Sequence, residues 1–459
     1  MYCIRMDKFK EMGEGSTGRL LLKYSLPAIT GMVLISLYNV IDRIFVGQAT
    51  GAEGLAAVTV AFPIMILGFA GAILANSGGS SLIARLLGAG DKEGAERALG
   101  QAVLLGAVIS GVTGLLLLPF LDPLLRLFGT SDATLGPARQ FSKLMIIAFP
   151  FQGASMGLGA GVRSQGRAKT SMLLMLAGVV VNTICCAIFV NVMHLGVPGS
   201  AWATLTGQIF GCIIGLGFYL SGAGSLRFRL KNLLPNKKSA LEVTEVGFSS
   251  WIMNVIPVIL FFILNTVMVK WAGDTGLAVI GIVNTISMLA VMPVFGIMQA
   301  AAPIMGYNHG AGNYRRVRRV FFQSLLASTI ILTAFWLTLE LKPDFYIKAF
   351  SAHDPALLAL GQKTVAIFML MLPLLGLPIA LTQYYQSVGK ALPSALLGMS
   401  RQLVFLIPAL LLLPIWFGLN GIIWAGPVSD FLGILLSVVF FLIELPKMGK
   451  DPVASVTQK

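Results

Sequence analysis

The sequence predicts an all-α polytopic membrane protein, with twelve transmembrane helices in two six-helix bundles that are related by an internal repeat. Three observations predict this fold class: the apolar composition, a series of long apolar segments, and motifs that recur at one spacing. Hydrophobic residues make up 56% of the chain and charged residues 11%, whereas soluble domains carry about 25% charged residues. With a mean hydropathy of +0.85, the chain is not a set of ordinary soluble domains.

Long apolar segments follow one another along almost the whole chain, and we name them spans 1 to 12. Each has about the 20 residues that a helix needs to cross the hydrocarbon core of a bilayer. The sequence therefore predicts twelve membrane crossings. The spans are residues 20–47, 54–80, 95–119, 137–160, 169–192, 196–220, 244–271, 276–304, 318–340, 357–384, 391–414 and 418–445.

The basic residues between the spans predict the orientation. The formal net charge of +14 would suggest nucleic-acid binding in a soluble protein. Here, however, the loops on the side of the N-terminus hold 24 of the 33 Lys and Arg residues, and the loops on the other side hold seven. Since cytoplasmic loops are rich in Lys and Arg, we expect both termini in the cytoplasm, a multi-pass protein in the cell (inner or plasma) membrane, and no nucleic-acid partner.

Motifs of the first half recur in the second half at one constant distance along the chain, which we call the repeat spacing. Six spans separate the copies, so both halves have the same orientation in the membrane. We expect an N-terminal bundle at 1–220 (the N-lobe), a linker at 221–243 and a C-terminal bundle at 244–459 (the C-lobe). The recurring groups are Gly54-Leu55-Ala56 with Gly276-Leu277-Ala278, Gly88-Ala89-Gly90 with Gly310-Ala311-Gly312, and Gly199 and Trp202-Ala203 with Gly421 and Trp424-Ala425.

Asp42 is the strongest candidate for a functional residue, because it is a carboxylate inside span 1. An ionised group in hydrocarbon costs roughly 3 kcal/mol or more, so an acid at this depth usually has a function. Asn39 lies on the same helix face, and Asn182 of span 5 lies at a similar depth. We predict that these three residues, with Thr204 or Gln208 of span 6, form a polar pocket for a proton or small cation. The alternatives are that Asp42 only caps the helix end and that the amides only join helices.

Arg401 of span 11 and Asp430 of span 12 form a second set of polar residues near the membrane midplane. An unpaired charge at that depth would be costly, so we predict that they pair. The pair either lines the substrate cavity or is structural. In span 1, Pro27 interrupts the hydrogen bonding of the helix that carries Asp42. We interpret it as a hinge coupled to protonation of the acid or as a static kink.

The sequence contains no arrangement of residues that supports catalysis or a metal site. The three histidines lie far apart, and neither an HExxH motif nor a GxxxxGK[ST] phosphate loop occurs. The four cysteines lack metal-ligand spacing, and three of them lie in apolar spans. We therefore expect a protein that is not an enzyme, has no metal site and needs no cofactor.

Several motifs, in order along the chain, resemble those of the multidrug and toxic compound extrusion (MATE) transporters, and especially of the MepA-like branch. The resemblance covers essentially the full length. The motifs are Tyr38-Asn39-x-x-Asp42-x-x-Phe45-Val46-Gly47, the repeated loops Gly88-Ala89-Gly90-Asp91 and Gly310-Ala311-Gly312-Asn313, Arg163-Ser164-Gln165-Gly166-Arg167, Gln386-Ser387-Val388-Gly389-Lys390, Arg401-Gln402 followed by Pro408, and Pro427-Val428-Ser429-Asp430.

The resemblance implies a MATE-like pair of bundles around a V-shaped cavity. It also implies secondary active antiport of amphipathic, often cationic, drug-like compounds against H⁺ or Na⁺, with Asp42 as the coupling site. Two departures from the family pattern leave Asp42 with almost no other acid to share the coupling role. Cys186 stands where many relatives carry an acid on span 5, and 246–271 lacks the glutamate of the NorM-like branch. The choice between H⁺ and Na⁺ stays open.

Two other functions compete with multidrug efflux. A flippase for a lipid-linked or other amphipathic lipid shares the two-bundle plan, but one that handles pyrophosphate should carry several cationic residues inside the first-half spans. Apart from Arg43, the few cationic residues of those spans lie towards the span starts. A membrane-embedded enzyme such as an acyltransferase would need a histidine or paired acids at one membrane face, and the sequence shows no such group.

We expect a monomer in the lipid bilayer, because one chain holds both halves of a pathway.

Overall fold

The computed structural model describes residues 11–342, 346 and 355–448, and these are almost entirely helical. Within the helices, some side chains lie outside the described part, among them those of residues 35–40, 43, 273–275 and 355–359. The α-helices are Thr17–Gly88, Lys92–Leu117, Leu121–Leu127, Asp132–Ser164, Ala168–Cys186, Gly196–Leu220, Lys237–Gly310, Tyr314–Leu341, Pro355–Phe368, Gly376–Ser387, Ala391–Met399 and Ile407–Glu444. Three 3₁₀ turns (Leu118–Phe120, Leu230–Leu233, Leu372–Leu375) and two π-helices (Ala187–Val192, Ser400–Leu406) complete them.

The predicted spans fall on described helical segments, and span 10 is interrupted by a turn at 369–371 and the 3₁₀ turn Leu372–Leu375. Ten stretches of the described chain are long and apolar enough to cross a membrane. The last, Ala391–Glu444, contains spans 11 and 12, which meet at Gly418, where the backbone leaves helical geometry. Span 1 lies in the helix Thr17–Gly88 ahead of a similar break at Gly51. The predicted all-α membrane fold is confirmed.

The internal repeat extends to the backbone conformation. Gly196, at the start of span 6, has φ of 62°, and Gly418, its counterpart in the repeat at the start of span 12, has φ of 57°. Only glycine adopts such angles without strain. Both halves therefore begin their last span at a glycine with positive φ, as the repeat predicts.

Each half has its own buried apolar cores. In the N-lobe, one core surrounds Phe141 and Phe149, and a second surrounds Leu99. In the C-lobe, the largest core surrounds Phe321. Separate apolar cores are consistent with two bundles, each of which packs its helices around its own buried side chains.

Two boundaries differ from the sequence-based ones. The helix of span 7 begins at Lys237, so residues 237–243, which we assigned to the linker, are helical. At the other boundary, Leu20, Leu21 and Tyr24 at the start of span 1 belong to the core around Phe321. The first turns of span 1 are therefore packed in the C-lobe, although the sequence order assigns them to the N-lobe.

Spans 2, 7 and 8 bring the lobes together at one end of the molecule. We call it the linker end, because residues 221–236 and the helix termini Gly88, Lys237 and Gly310 lie there. A Cβ added to Gly78 of span 2 would overlap the carbonyl oxygen of Val243. At the loop motifs the contact is reciprocal, since Gly88 lies against the Tyr307 carbonyl and Gly310 against the Arg85 carbonyl. Because these glycines have no side chain, the backbones of the two lobes are in direct contact here.

A hydrogen-bonded group of side chains crosses the same boundary, and we call it the inter-lobe serine network (Ser77, Ser81, Ser249, Ser250 and Gln386). Ser250 Oγ donates to Ser77 Oγ at 2.8 Å, and Ser77 Oγ donates to Gln386 Oε1 at 3.1 Å. Gln386 Nε2 donates to Ser249 Oγ at 3.1 Å, while Ser81 Oγ donates to the Gln386 carbonyl at 2.5 Å. These bonds close the lobes against each other at the linker end.

Candidate functional site

The carboxylate of Asp42 is the centre of a small polar cluster between spans 1, 5 and 6. Ser200 Oγ lies 2.9 Å from both carboxylate oxygens, so its single proton is shared between them. The thiol of Cys186 donates to Oδ1 at 3.0 Å. Both donors are buried, whereas Asp42 itself is half-buried. The acid is therefore reachable on one side and held on the other.

The chemistry of these donors suits a group that changes its protonation state. A serine hydroxyl donates to a carboxylate and can instead accept a hydrogen bond from a carboxylic acid. Neither Ser200 nor Cys186 carries a charge as a hydroxyl or thiol. The carboxylate can thus gain or lose a proton, or bind a small cation, without breaking an ion pair with these two residues.

Local helix geometry places the two donors. Cys186 is the last α-helical residue of span 5, and the π-helix Ala187–Val192 follows directly. Single π turns inside α-helices occur often at functional sites. Ser200 is the fifth residue of span 6, which begins at the positive-φ residue Gly196. Beside the cluster, Phe45 packs against the group that includes Cys186 and Phe189.

A second polar contact lies one helical turn away. Asn182 is four residues before Cys186, Thr204 is four residues after Ser200, and Asn182 Nδ2 donates to Thr204 Oγ1 at 3.1 Å. Both side chains are buried. Gln208 follows one turn later and is half-buried. Span 6 thus presents Ser200, Thr204 and Gln208 as one polar stripe.

The structure joins Asp42 to Ser200 and Cys186, and it joins Asn182 to Thr204 one helical turn away. Asp42, Asn182 and Thr204 lie on facing helices as predicted, while the side chain of Asn39 lies outside the described part of the chain. The sequence reasoning missed Ser200 and treated Cys186 only as a lost acid. Ser200 could have been found, because it lies four residues before Thr204 on the same face.

The predicted pairing of Arg401 and Asp430 is confirmed. Arg401 Nη1 lies 2.9 Å from Asp430 Oδ1. Arg401 is in the π-helix Ser400–Leu406, and its Cβ and Cγ pack where Gly433 leaves room. Asp430 is the counterpart of Gln208 at the repeat spacing, so both lobes carry a polar group at this place in the repeat.

Pro27 lies inside a helix that continues past it. The backbone of Thr17–Gly88 leaves helical geometry at Gly51 and not at Pro27. Two residues after the proline, the backbone of Ile29 lies against Gly296 of span 8. Any bend at Pro27 would therefore act on a contact between the lobes.

Within the described residues, no group of three or more His, Cys, Asp and Glu side chains could hold a metal ion. Asp42 with Ser200 offers oxygen ligands that suit a proton or Na⁺ rather than a transition metal. The cluster is thus a candidate cation site formed by one acid and neutral donors.

Comparison with known proteins identifies a family whose model matches both halves of the chain, and solved structures with the same fold. The MatE family model matches residues 27–188 and again 250–411. The offset between the starts of the two matches agrees closely with the repeat spacing of the motifs. A relative described as the multidrug export protein MepA of Staphylococcus haemolyticus is 24% identical over 417 residues, which cover 91% of each chain.

Two solved structures share the fold over nearly the whole length. One is a MOP superfamily transporter of Pyrococcus furiosus, with a TM-score of 0.88 and 23% identity over 96% of this chain and 98% of that one. The other is described as the outward-facing conformation of a multidrug resistance MATE family transporter, with a TM-score of 0.87, 23% identity and the same coverage. Twelve helices in two bundles is the arrangement of these neighbours.

Proposed function

The chain belongs to the MatE family, and we propose that it is a secondary active multidrug efflux transporter that exchanges amphipathic, mainly cationic compounds for H⁺ or Na⁺. The MepA relative, named as a multidrug export protein, supports the efflux function. The family contains transporters, and no enzyme family is indicated. We further propose a monomer in the cell membrane with both termini, and hence the linker end, in the cytoplasm.

The observation that carries the proposal is the carboxylate of Asp42, which two neutral donors hold at membrane depth. When the carboxylate takes up a proton or Na⁺, the local charge changes, and the hydrogen bond with Ser200 must rearrange. Such a change can favour one conformation over another only through contacts that differ between them. Asp42 is on span 1, which packs in both lobes, so its occupancy can act on how the lobes meet.

The contacts at the linker end supply the other half of alternating access. With the linker end placed in the cytoplasm as proposed, the serine network and the glycine contacts would close the path to that side. We infer that release of these contacts admits substrate from the cytoplasm. Pro27 is the proposed hinge, because it lies on span 1 between the C-lobe core at Leu21 and the cluster at Asp42.

Native protein in proteoliposomes is expected to move ethidium against its gradient only while a proton or Na⁺ gradient is imposed. The measurement is dye fluorescence, with protein-free liposomes and a collapsed gradient as controls. In parallel, translocation of a fluorescent lipid across the same bilayers is followed. Lipid translocation without any dye transport would overturn the efflux proposal and favour a flippase.

A further inference from the structure

A groove of about 370 Å³ lies on the N-lobe between spans 3, 4 and 6, and the linker forms one side of it. We call it the linker groove; Val103, Leu158, Leu216 and Phe228 represent its four sides. Its volume is within the roughly 300–1,000 Å³ of ordinary ligand pockets. The described residues that line it are apolar, apart from the thiol of Cys212. The groove therefore suits an apolar group and offers almost nothing to a polar one.

The linker groove opens towards the bilayer. Leu220 of span 6 and Leu230 of the linker line it and are 75% and 77% exposed. Ile213, two helical turns before Leu220, is an exposed residue of the same helix face. At 100° per residue, this face is opposite the one that carries Ser200 and Thr204 towards the Asp42 cluster. Exposed apolar side chains on the outer face of a membrane-spanning helix contact lipid chains.

The length of the groove matches one leaflet. Cys212, Leu216 and Leu220 line it at successive turns of span 6, so it extends about 12 Å along this helix from the linker end. The hydrocarbon core of a bilayer is about 30 Å thick, and each leaflet fills half of it. A lipid of the leaflet at the linker end can therefore lay most of one acyl chain in the groove.

The linker alternates apolar and basic residues from Leu226 to Lys231. At Arg229 the backbone is extended, with φ of −120° and ψ of 130°, and extended backbone turns successive side chains to opposite sides. Leu226 is buried in the core around Leu99, and Phe228 packs against the same core. The basic residues between them are exposed. The linker thus presents its apolar side to the N-lobe and its basic side to water.

Polar contacts with span 3 fix the linker in this position. The buried carboxylate of Glu96 accepts a hydrogen bond from the backbone N–H of Arg227 at 3.0 Å, and it lies 3.5 Å from Nε of Arg229. Gln101 Nε2 donates to the carbonyl of Asn232 at 2.9 Å. The groove is therefore part of the folded protein and does not depend on a ligand to form.

The charge beside the groove is positive. Residues 221–243 contain five Lys and Arg residues and one acid, Glu242. Glu96 offsets Arg229, whereas the side chains of Arg227 and Lys231, before and after it, extend into water. Basic side chains at the boundary of the hydrocarbon attract anionic lipid headgroups. An apolar groove with a basic rim thus fits a ligand that has an apolar chain and an anionic head.

We propose that the linker groove is a binding site for an anionic phospholipid of the bilayer, with one acyl chain between spans 4 and 6 and the phosphate beside Arg227 and Lys231. The site is separate from the Asp42 cluster, which lies at the start of span 6, whereas the groove lies at its end. A lipid bound there contacts both the N-lobe and the linker that leads to span 7. It therefore stabilises the connection between the lobes.

Photo-crosslinking locates the lipid. The purified full chain is reconstituted in dioleoylphosphatidylcholine vesicles that contain a small fraction of phosphatidylglycerol with a diazirine in one acyl chain, and peptide mass spectrometry maps the adducts after irradiation. We expect adducts at Leu216 and Phe228 that excess unlabelled dioleoylphosphatidylglycerol reduces about fivefold more than the same amount of dioleoylphosphatidylcholine does. Adducts at Leu115 and Leu116, two exposed residues of span 3, report ordinary lipid contact and should respond equally to both lipids.

Two variants and a matched control separate the apolar and the charged parts of the site. Ala154→Phe places a ring in the groove and should remove the groove adducts while those at Leu115 remain. Lys231→Gln should reduce the groove adducts about fivefold, the usual effect of one basic residue near an anionic surface. Lys447→Gln, which changes an exposed lysine after span 12, should leave them at the native level. Size-exclusion profiles confirm that each variant is folded.

Three results would overturn the lipid site. Groove adducts that both unlabelled lipids reduce equally, or that Lys231→Gln leaves unchanged, would show that the groove has no preference for an anionic headgroup. Adducts that ethidium reduces and dioleoylphosphatidylglycerol does not would identify a substrate site instead. A native protein with adducts at Leu115 and none in the groove would show that no lipid chain enters it.

Discussion

Gly78→Ala is expected to reduce efflux strongly, because the variant cannot close the lobes at the linker end. The added methyl group would overlap the carbonyl oxygen of Val243, which is backbone and has no rotamer to adopt. Overpacking of this kind costs about 1–3 kcal/mol. If the cost falls on the closed conformation alone, the ratio of closed to open molecules falls roughly 5- to 150-fold.

Gly281→Ala is the matched control, because Gly281 lies in the helix Lys237–Gly310 and has no atom within 4 Å of an added Cβ. Closure can be measured with a cysteine pair, Ser77→Cys and Ser250→Cys, whose native hydroxyl oxygens are 2.8 Å apart. We expect this pair to cross-link in the Gly281→Ala background and poorly in the Gly78→Ala background. Native rates of cross-linking and efflux in Gly78→Ala would contradict the closed contact.

Arg401→Met is expected to destabilise the C-lobe by about 1–3 kcal/mol, the usual cost of leaving a buried polar group without its partner. The enclosed carboxylate of Asp430 would lose its counter-ion, whereas Arg401→Met combined with Asp430→Leu leaves no charge behind. The thermal unfolding midpoint of the detergent-solubilised protein should fall in the single variant and recover in the double variant. Equal midpoints in the two variants would show that the pair makes no such contribution.

The spans and the repeat could be predicted from sequence, because they depend on properties that one segment carries by itself. A run such as 418–445 must be helical in a membrane whatever surrounds it. The pairing of Arg401 with Asp430 was predictable for a related reason, since two charges near the midplane have few other ways to be satisfied.

The contacts that arise only when the helices pack together could not be predicted from the sequence. Ser200 lies near the start of span 6, where a serine has no evident role until span 1 brings Asp42 against it. Cys186 looked like a lost acid, yet its thiol, just before the π-helix Ala187–Val192, donates a hydrogen bond to Asp42. Likewise, the packing of Leu21 in the C-lobe core follows from how the lobes meet and not from chain order.

Transport by Asp42→Asn in proteoliposomes, with a proton gradient and a Na⁺ gradient imposed separately, tests the coupling role of Asp42 most directly. Asparagine keeps the shape of the side chain and an oxygen that accepts from Ser200, but it cannot be protonated or carry charge at working pH. We expect native protein to export ethidium under one of the two gradients, which identifies the ion, and Asp42→Asn to fall to the rate of protein-free liposomes. Export by Asp42→Asn at the native rate would show that the coupling ion binds elsewhere.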